Sequence, residues 1–181
     1  MKDKRFYTGV GSRFTPVEMR TVLNDIAYNL ASDGWILRSG AADGADTAFE
    51  KGCISIKGKM NIYLPWDGFN NRKADGKKYI LPDESWPVYE RAQELVEQIH
   101  PNYGVLSQGA IRLHTRNIFQ SLGDNIDTPS KFLVCWANVD KDGFPVGGTR
   151  TAWTLARMNR IPCFNLFIEK DMERINKWLQ K

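Results

Sequence analysis

The sequence predicts an α/β protein in which a parallel β-sheet is covered by helices on both faces. Short apolar segments alternate along the chain with amphipathic segments of helical spacing, in the order β-α-β-α-β-α-α-β-α-β-α. The apolar segments lack the polar–apolar alternation of half-exposed strands, which is typical of strands buried on both faces. The 181 residues show no internal repeat and no interdomain linker, so we expect a single domain over residues 1–181.

Three strands and two helices are predicted in the first third of the chain. The first strand covers residues 5–10, and the helix after it begins at Pro16, with Thr15 and Glu18 as a capping box. Apolar residues continue at helical spacing up to Asp33-Gly34, which ends this helix. The following elements are a strand over residues 35–38, a helix from Ala45 to Gly52 and a strand over residues 60–64.

The rest of the chain supplies two more strands and four more helices. Residues 65–85 have little periodicity and several breakers, so we expect a long loop there, of the kind that is usually functional or mobile. The two helices that follow end at His100-Pro101 and at Gly123. The last elements are a strand over residues 131–136, a helix that begins at Gly147-Gly148, a strand over residues 161–166 and a helix over residues 169–180.

Composition excludes several classes of protein. Lys and Arg outnumber Asp and Glu by 25 to 21, and this formal charge of +4 permits an anionic partner without requiring one. The three cysteines lie far apart and the two histidines have no acidic metal motif near them, so we expect neither a disulfide scaffold nor a metal centre. The longest apolar run is Phe132–Ala137, and the first residues contain no secretory h-region. We therefore expect a cytoplasmic protein without a membrane partner.

Three glycine-containing turns each follow a predicted strand and lead into a helix. They are Gly9-Val10-Gly11-Ser12-Arg13, Ser39-Gly40-Ala41-Ala42-Asp43-Gly44 and Gly147-Gly148-Thr149. In a parallel sheet the three turns lie at the edge formed by the carboxyl ends of the strands, where ligands bind. Helix N-termini favour anions, and glycine lets a phosphate approach the backbone closely. The turns therefore predict a phosphate-bearing ligand.

The motifs of several enzyme classes are absent from the sequence. The dinucleotide fingerprint G-x-G-x-x-G would need glycine at position 14, where Phe14 stands. The sequence contains neither the G-x-x-x-x-G-K-[ST] motif of a P-loop nor the G-x-S-x-G motif of an α/β-hydrolase. The phosphate site is therefore not that of a P-loop NTPase or an ordinary dinucleotide-binding enzyme.

As an ordered set, the motifs resemble those of the SLOG superfamily. They are Thr8-Gly9-Val10-Gly11-Ser12-Arg13, the segment from Ser39 to Asp46, Arg116-Asn117 and Gly147-Gly148-Thr149. This group includes the Rossmann-like core of the DprA/Smf DNA-processing proteins and the LOG (lysine-decarboxylase-like) phosphoribohydrolases. The chain looks most like small single-domain DprA-like proteins of bacteria and phages, which carry a similar Pro65-Trp66-x-Gly68-Phe69-Asn70 loop.

The resemblance implies a Rossmann-like doubly wound sheet of about five strands in the order 3-2-1-4-5. It also implies binding of nucleotides or nucleotide-derived ligands at the glycine turns, and a homodimer or higher homo-oligomer. The chain departs from LOG enzymes, whose motif P-G-G-x-G-T-x-x-E carries a catalytic glutamate. Thr154 stands at the glutamate position and Arg150 at that of the third glycine, and a hydroxyl cannot replace a carboxylate as general base.

The candidate site residues follow from the turns and from the resemblance. Asp46 is the candidate catalytic acid if the protein hydrolyses its ligand, whereas Glu50 is expected on the exposed surface of its helix. Trp66 and Phe69 follow the third strand and are the candidates for stacking on a base. The predicted ligand- or phosphate-binding residues are Gly9, Gly11, Ser12, Arg13, Ser39, Gly40, Asp43, Arg116, Asn117, Gly147, Gly148, Thr149 and Arg150.

These observations favour binding of a nucleotide or a nucleotide-derived, phosphoribosyl-containing ligand, a class that includes signalling nucleotides. We expect no cofactor. One alternative is an N-glycosidic phosphoribohydrolase of nucleotides that uses Asp46 in place of the missing glutamate. A second alternative is a DprA-like module that binds single-stranded DNA, although the chain lacks the dense basic cluster that is typical of nucleic-acid binders.

Overall fold

The computed structural model describes residues 4–180. Its strands are β1 (Phe6–Gly11), β2 (Ile36–Ser39), β3 (Met60–Tyr63), β4 (Tyr79–Ile80), β5 (Leu133–Trp136) and β6 (Cys163–Asn165). Its helices are α1 (Val17–Ser32), α2 (Ala45–Ser55), α3 (Tyr89–Ile99), α4 (Gln108–Leu122), α5 (Thr149–Met158) and α6 (Glu169–Leu179). The six strands form one parallel sheet in the order β4-β3-β2-β1-β5-β6.

Two apolar cores lie on opposite faces of this sheet. Helices α1, α2 and α6 cover one face, where Tyr7 and Leu37 pack with Phe49. Helices α3, α4 and α5 cover the other, where Val10 and Tyr63 pack with residues of α4 and α5. Because both faces are buried, the strands are mostly apolar, and the predicted doubly wound α/β class is confirmed.

The sheet has six strands, one more than the approximate number of five that was expected. The predicted strands are β1, β2, β3, β5 and β6, and they keep the expected relative order, with β4 added beside β3. Strand β4 lies in the segment expected to be a loop. Its Tyr79 hydroxyl donates to Glu50 Oε1 at 2.6 Å, and Arg72 pairs with the same carboxylate at 2.8 Å. Glu50 is 2% exposed and is not a surface residue as expected, because these two contacts satisfy it in the interior.

The start of α1 also differs from the prediction. Thr15 does not cap the helix, which begins at Val17 without a side-chain cap. Instead the Thr15 hydroxyl donates to the carbonyl of Ser12 at 2.6 Å. The same carbonyl accepts from the backbone N–H of Ala45 at 3.2 Å, so one oxygen atom joins the turn after β1 to the starts of α1 and α2.

The strand order creates a topological switch point between β1 and β5. The chain first builds outward from β1 through β2 and β3 to β4, and then returns to place β5 on the other side of β1. The connections leave these two strands in opposite directions and open a crevice at their carboxyl ends. Among residues 4–180, no helix combines the length and apolarity needed to cross a membrane.

Candidate functional site

A cavity of about 560 Å³ lies at this switch point. Its volume is within the range of about 300–1,000 Å³ that is usual for small-molecule sites. Four parts of the chain line it: the turn after β1, the start of α2, one face of α4 and the segment from Asn138 to α5. The lining residues are Val10, Gly11, Ser12, Arg13, Phe14, Ala42, Asp46, Ala110, Leu113, His114, Arg116, Asn117, Gln120, Asn138, Val146, Gly147, Gly148, Thr149 and Ala152.

The first glycine turn forms one wall of the cavity. Its backbone is fixed by the Ser12 amide, which donates to the carbonyl of Trp136 at 2.8 Å. A Cβ at Gly11 would lie 2.7 Å from that of Ala45, so only glycine lets β1 end this close to α2. Arg13 follows as an exposed cation at the wall.

Helix α4 supplies the floor. The Ser107 hydroxyl caps it by accepting from the Ala110 amide at 3.2 Å, and Gly123 ends it. Residues 113, 116, 117 and 120 recur at helical spacing, so one face of α4 points into the cavity. We call Asp46, Arg116 and Gln120 the polar floor, since all three side chains line the cavity and are at most 7% exposed.

Arg116 is a buried cation that has no ion-pair partner within 4.0 Å among residues 4–180. Its guanidinium donates to the carbonyl of Gly40 and, at 3.5 Å, to that of Tyr63. Its carbon Cζ lies 5.2 Å from the ring centroid of Phe69. Burial lowers its pKa to about 10, an effect that Asp46 opposes and Arg13 reinforces. Arg116 is therefore charged at neutral pH.

Asp46 is the carboxylate of the polar floor. Burial raises its pKa to about 6, against the opposing effects of Arg116 and of the backbone N–H groups of Ala42, Gly11 and Gly40. Its Oδ2 accepts from the Ala42 amide at 3.3 Å. Because Asp46 exchanges a proton near neutral pH, it can act chemically as either acid or base.

Gln120 is 0% exposed, and neither its Oε1 nor its Nε2 has a hydrogen-bond partner among the described residues. The Nε of Arg116 is likewise buried without a partner. Buried polar atoms are nearly always paired, so unpaired atoms on residues that line a cavity point to positions where a ligand or water can bind.

His114 lines the same cavity and lies two residues before Arg116 on α4. Its Nδ1 shares a hydrogen bond of 2.9 Å with the Thr151 hydroxyl, and its ring lies 4.6 Å from that of His100, centroid to centroid. Burial, together with the smaller effects of His100 and Arg116, lowers the pKa of His114 to about 4. His114 is therefore neutral at neutral pH. Within residues 4–180, no group of three potential metal ligands comes together.

The third glycine turn forms the opposite wall and is open. Gly147 has φ +71°, and a Cβ added to Gly147 or Gly148 would meet no atom within 4 Å beyond its chain neighbours. The Asn117 amide donates to the carbonyl of Gly148 at 3.3 Å and holds the turn against α4. Helix α5 begins at Thr149, so its N-terminus faces the cavity.

The structure brings nine of the predicted residues together around the cavity. They are Gly11, Ser12, Arg13, Asp46, Arg116, Asn117, Gly147, Gly148 and Thr149. The cavity also contains residues that the sequence did not predict, chiefly Phe14, His114 and Gln120. Helical spacing could have found Gln120, because it follows Arg116 by one turn of α4.

The other predicted residues do not line the cavity. Gly9 packs against Phe49 and Leu37, and the Ser39 hydroxyl donates to the carbonyl of Gly9 at 2.6 Å. Gly40 lies against the polar floor.

Four further predicted residues have contacts of their own outside the cavity. Asp43 accepts from Asn70 at 2.8 Å, and Arg150 pairs with Asp140 at 2.8 Å. Trp66 and Phe69 pack edge to face at 5.1 Å.

Comparisons with known proteins identify the fold. No family model matches the sequence, and no curated protein is significantly similar to it. A structure of the molybdenum cofactor (Moco) carrier protein of Chlamydomonas reinhardtii is similar, with 19% identity and a TM-score of 0.51, over 90% of this chain and 76% of that one. DNA processing protein A (DprA) of Streptococcus pneumoniae is similar with 15% identity and a TM-score of 0.52, over 91% of this chain and 50% of that one.

These similarities confirm that the chain has the Rossmann-like fold of the DprA/Smf proteins. The chain spans half the length of the DprA structure that it matches. Nucleotide binding, the homo-oligomer, the single-domain organisation and a bacterial or phage origin stay predictions.

Proposed function

We propose that the cavity binds a phosphate-bearing small molecule, namely a nucleotide or a nucleotide-derived compound. The observation that carries this proposal is the charge of the cavity wall. Arg13 and Arg116 contribute two positive charges at neutral pH, His114 contributes none, and Asp46 is the one carboxylate among the lining residues. Arg116 is buried without an ion pair, and Asp46 offsets its charge only in part, so a bound anion would lower the remaining cost of burying this cation.

The open third turn supports a position for the phosphate. A helix N-terminus presents backbone N–H groups and the positive end of the helix dipole, and both favour an anion. Gly147 and Gly148 leave room for the anion to approach the backbone, and Thr149 adds a hydroxyl at the wall. In this arrangement the positive charges of Arg13 and Arg116 attract the phosphate, and the third glycine turn contacts it directly.

The proposal is tested by native mass spectrometry of the purified protein and by thermal shift with a panel of nucleoside monophosphates. We expect a nucleotide to raise the melting temperature of the wild type, and Arg116→Ala to abolish that shift and any co-purifying ligand. Arg116→Lys keeps a positive charge at this position, so it separates the effect of losing the charge from the effect of losing the guanidinium group. Arg91→Ala removes an exposed arginine of α3 and controls for surface charge. Equal ligand content in the wild type and Arg116→Ala would refute the site.

One further function is favoured by a specific observation. Asp46 lines the cavity with a pKa of about 6, which suits a general acid or base at neutral pH. An N-glycosidic phosphoribohydrolase would release free base from a bound nucleotide, and Asp46→Asn would abolish that release. Release of base at the wild-type rate by Asp46→Asn would exclude this role.

The same preparations distinguish single-stranded DNA binding from nucleotide binding. Affinity for an oligonucleotide would fall steeply with salt because counterions are released along the strand. Binding of a mononucleotide in a cavity depends on few phosphate contacts and is expected to change little over the same range of salt.

A further inference from the structure

Gln120 has an unused hydrogen-bonding capacity that the phosphate site does not explain. Its side chain is fully buried and lines the cavity, and both amide atoms lack a partner among residues 4–180. A primary amide buried without partners destabilises a folded protein, since it gives up its hydrogen bonds to water. A ligand in the cavity would therefore stabilise the protein if it formed hydrogen bonds with this amide.

The surroundings of Gln120 hold its amide in place. Its backbone carbonyl accepts from the Thr8 hydroxyl of β1 at 2.8 Å, which fixes α4 against the sheet at this residue. Gly40 lies directly against the amide of Gln120 and the guanidinium of Arg116, and any side chain at position 40 would collide with both. The two side chains thus lie side by side on a rigid support, as a preorganised recognition site requires.

We propose that Gln120 is a specificity-determining residue that pairs with the lactam edge of a nucleobase. This inference rests on the proposed nucleotide binding. An amide offers one donor and one acceptor, and its complement is a C=O group next to an N–H group. The adjacent Arg116 carries donors only, including the unpartnered Nε, and therefore favours a carbonyl over the exocyclic amine of adenine. Guanine, hypoxanthine and uracil present such an edge.

The two ends of the ligand then have separate sites. The base lies on the polar floor, where the Gln120 Nε2 donates to the ring carbonyl and the Gln120 Oε1 accepts from the ring N–H. The phosphate lies at the open third turn on the opposite wall. Specificity for the base and affinity for the phosphate reside in different residues, so they can be measured separately.

Titration calorimetry with guanosine monophosphate, adenosine monophosphate and ribose phosphate tests the proposal. We expect the wild type to bind guanosine monophosphate about tenfold to a hundredfold more tightly than adenosine monophosphate, the worth of one or two hydrogen bonds. Gln120→Leu should lose most of this preference, retaining only the part that Arg116 contributes, and should bind ribose phosphate as the wild type does. Gln98→Leu, an exposed position on α3, should behave as the wild type throughout.

The outcomes separate this inference from the proposed function. If all three compounds bind but the wild type has no preference for guanosine monophosphate, or if Gln120→Leu keeps that preference, the role of Gln120 is refuted and nucleotide binding stands. If none of the compounds binds, the proposed function fails.

A measurement on the unaltered protein covers the case in which Gln120→Leu does not fold. Guanosine monophosphate methylated on its ring N–H should lose the same affinity, and equal binding of both forms would refute the pairing.

Discussion

The second and third glycine turns lie at the same edge of the sheet but differ in what occupies the space beside them. In the second turn, Gly40 is covered by the polar floor, and Gly44, with φ +76°, contacts the carbonyls of Ser12 and Arg13. In the third turn, Gly147 and Gly148 have no such neighbours. Glycine therefore allows close packing in the second turn, whereas in the third turn it leaves space beside the backbone.

The two helices that follow these turns differ in the same way. Asp46 stands in the first turn of α2 and accepts a hydrogen bond from the backbone N–H of Ala42, just before the helix, so the protein supplies its own carboxylate at this N-terminus. The first turn of α5 contains no acidic residue. The comparison teaches that a glycine turn before a helix favours an anion at the helix N-terminus. Whether that anion is a side chain or a ligand depends on whether the first turn of the helix contains an acidic residue.

The largest effect on stability is expected from a substitution in the second glycine turn, which we call the closed turn because protein atoms surround its glycines. Gly44→Ala places a Cβ against the backbone of Ser12 and Arg13 and forces an L-residue into a conformation that only glycine adopts readily. Strain and overpacking together should cost about 3 kcal/mol or more of the free energy of unfolding. Urea denaturation measures this cost, and a loss below about 1 kcal/mol would contradict the packing described for this turn.

The next largest effect on stability depends on pH and arises from the carboxyl group of Asp46. The native pKa of Asp46, about 6, exceeds the value of 3.8 expected in the unfolded chain, so the native state binds more protons between these values. Stability contributed by the neutral carboxyl is present below pH 4 and is lost as the pH rises through 6. Asp46→Asn should therefore be more stable than the wild type by up to about 3 kcal/mol at pH 8.

That gain should shrink below pH 6 and vanish near pH 4. Urea denaturation of both proteins across this range measures it. A gain that is independent of pH would mean that the carboxylate is ionised throughout.

The smallest effects on stability are expected in the open turn. Gly147→Ala should cost about 1–2 kcal/mol because of its positive φ alone. Gly148 has φ −61° and ψ −25°, a conformation that alanine adopts readily, so Gly148→Ala should change stability by less than about 1 kcal/mol. The added methyl group should nevertheless weaken nucleotide binding, which thermal shift measures. Unchanged binding by Gly148→Ala would place the phosphate elsewhere.

The sequence was sufficient for five of the six strands and for the edge of the sheet at which the glycine turns lie. The apolar segments predicted β1, β2, β3, β5 and β6, because strands buried on both faces have a strong pattern. The turns were placed at one edge because parallel strands share a direction. Strand β4 could not be predicted, since it has two residues and depends on the contact of Tyr79 with the distant Glu50.

The difference between the closed and the open turn could not be predicted either. Gly40 directly follows β2 and Gly148 directly precedes α5, but both belong to glycine-containing turns between a strand and a helix. What separates them is α4, which begins at residue 108 and lays Arg116 and Gln120 over Gly40. Local patterns contain no information on such a contact, so the prediction assigned one role to both turns.

The segment between β5 and α5 has a consequence for how fast a ligand enters and leaves. Residues 141–144 and 146–148 are exposed, whereas the residues that α4 contributes to the floor, Arg116, Asn117 and Gln120, are buried. Asp140 holds this segment together, because its carboxylate accepts from the amides of Asp142 and Phe144 and pairs with Arg150. Exposed segments with few buried contacts open at the lowest free energy, so we expect this one to set the exchange rate. Stopped-flow measurement of nucleotide dissociation should find Asp140→Ala faster than the wild type, and the residence time of the ligand would then be controlled from outside the cavity.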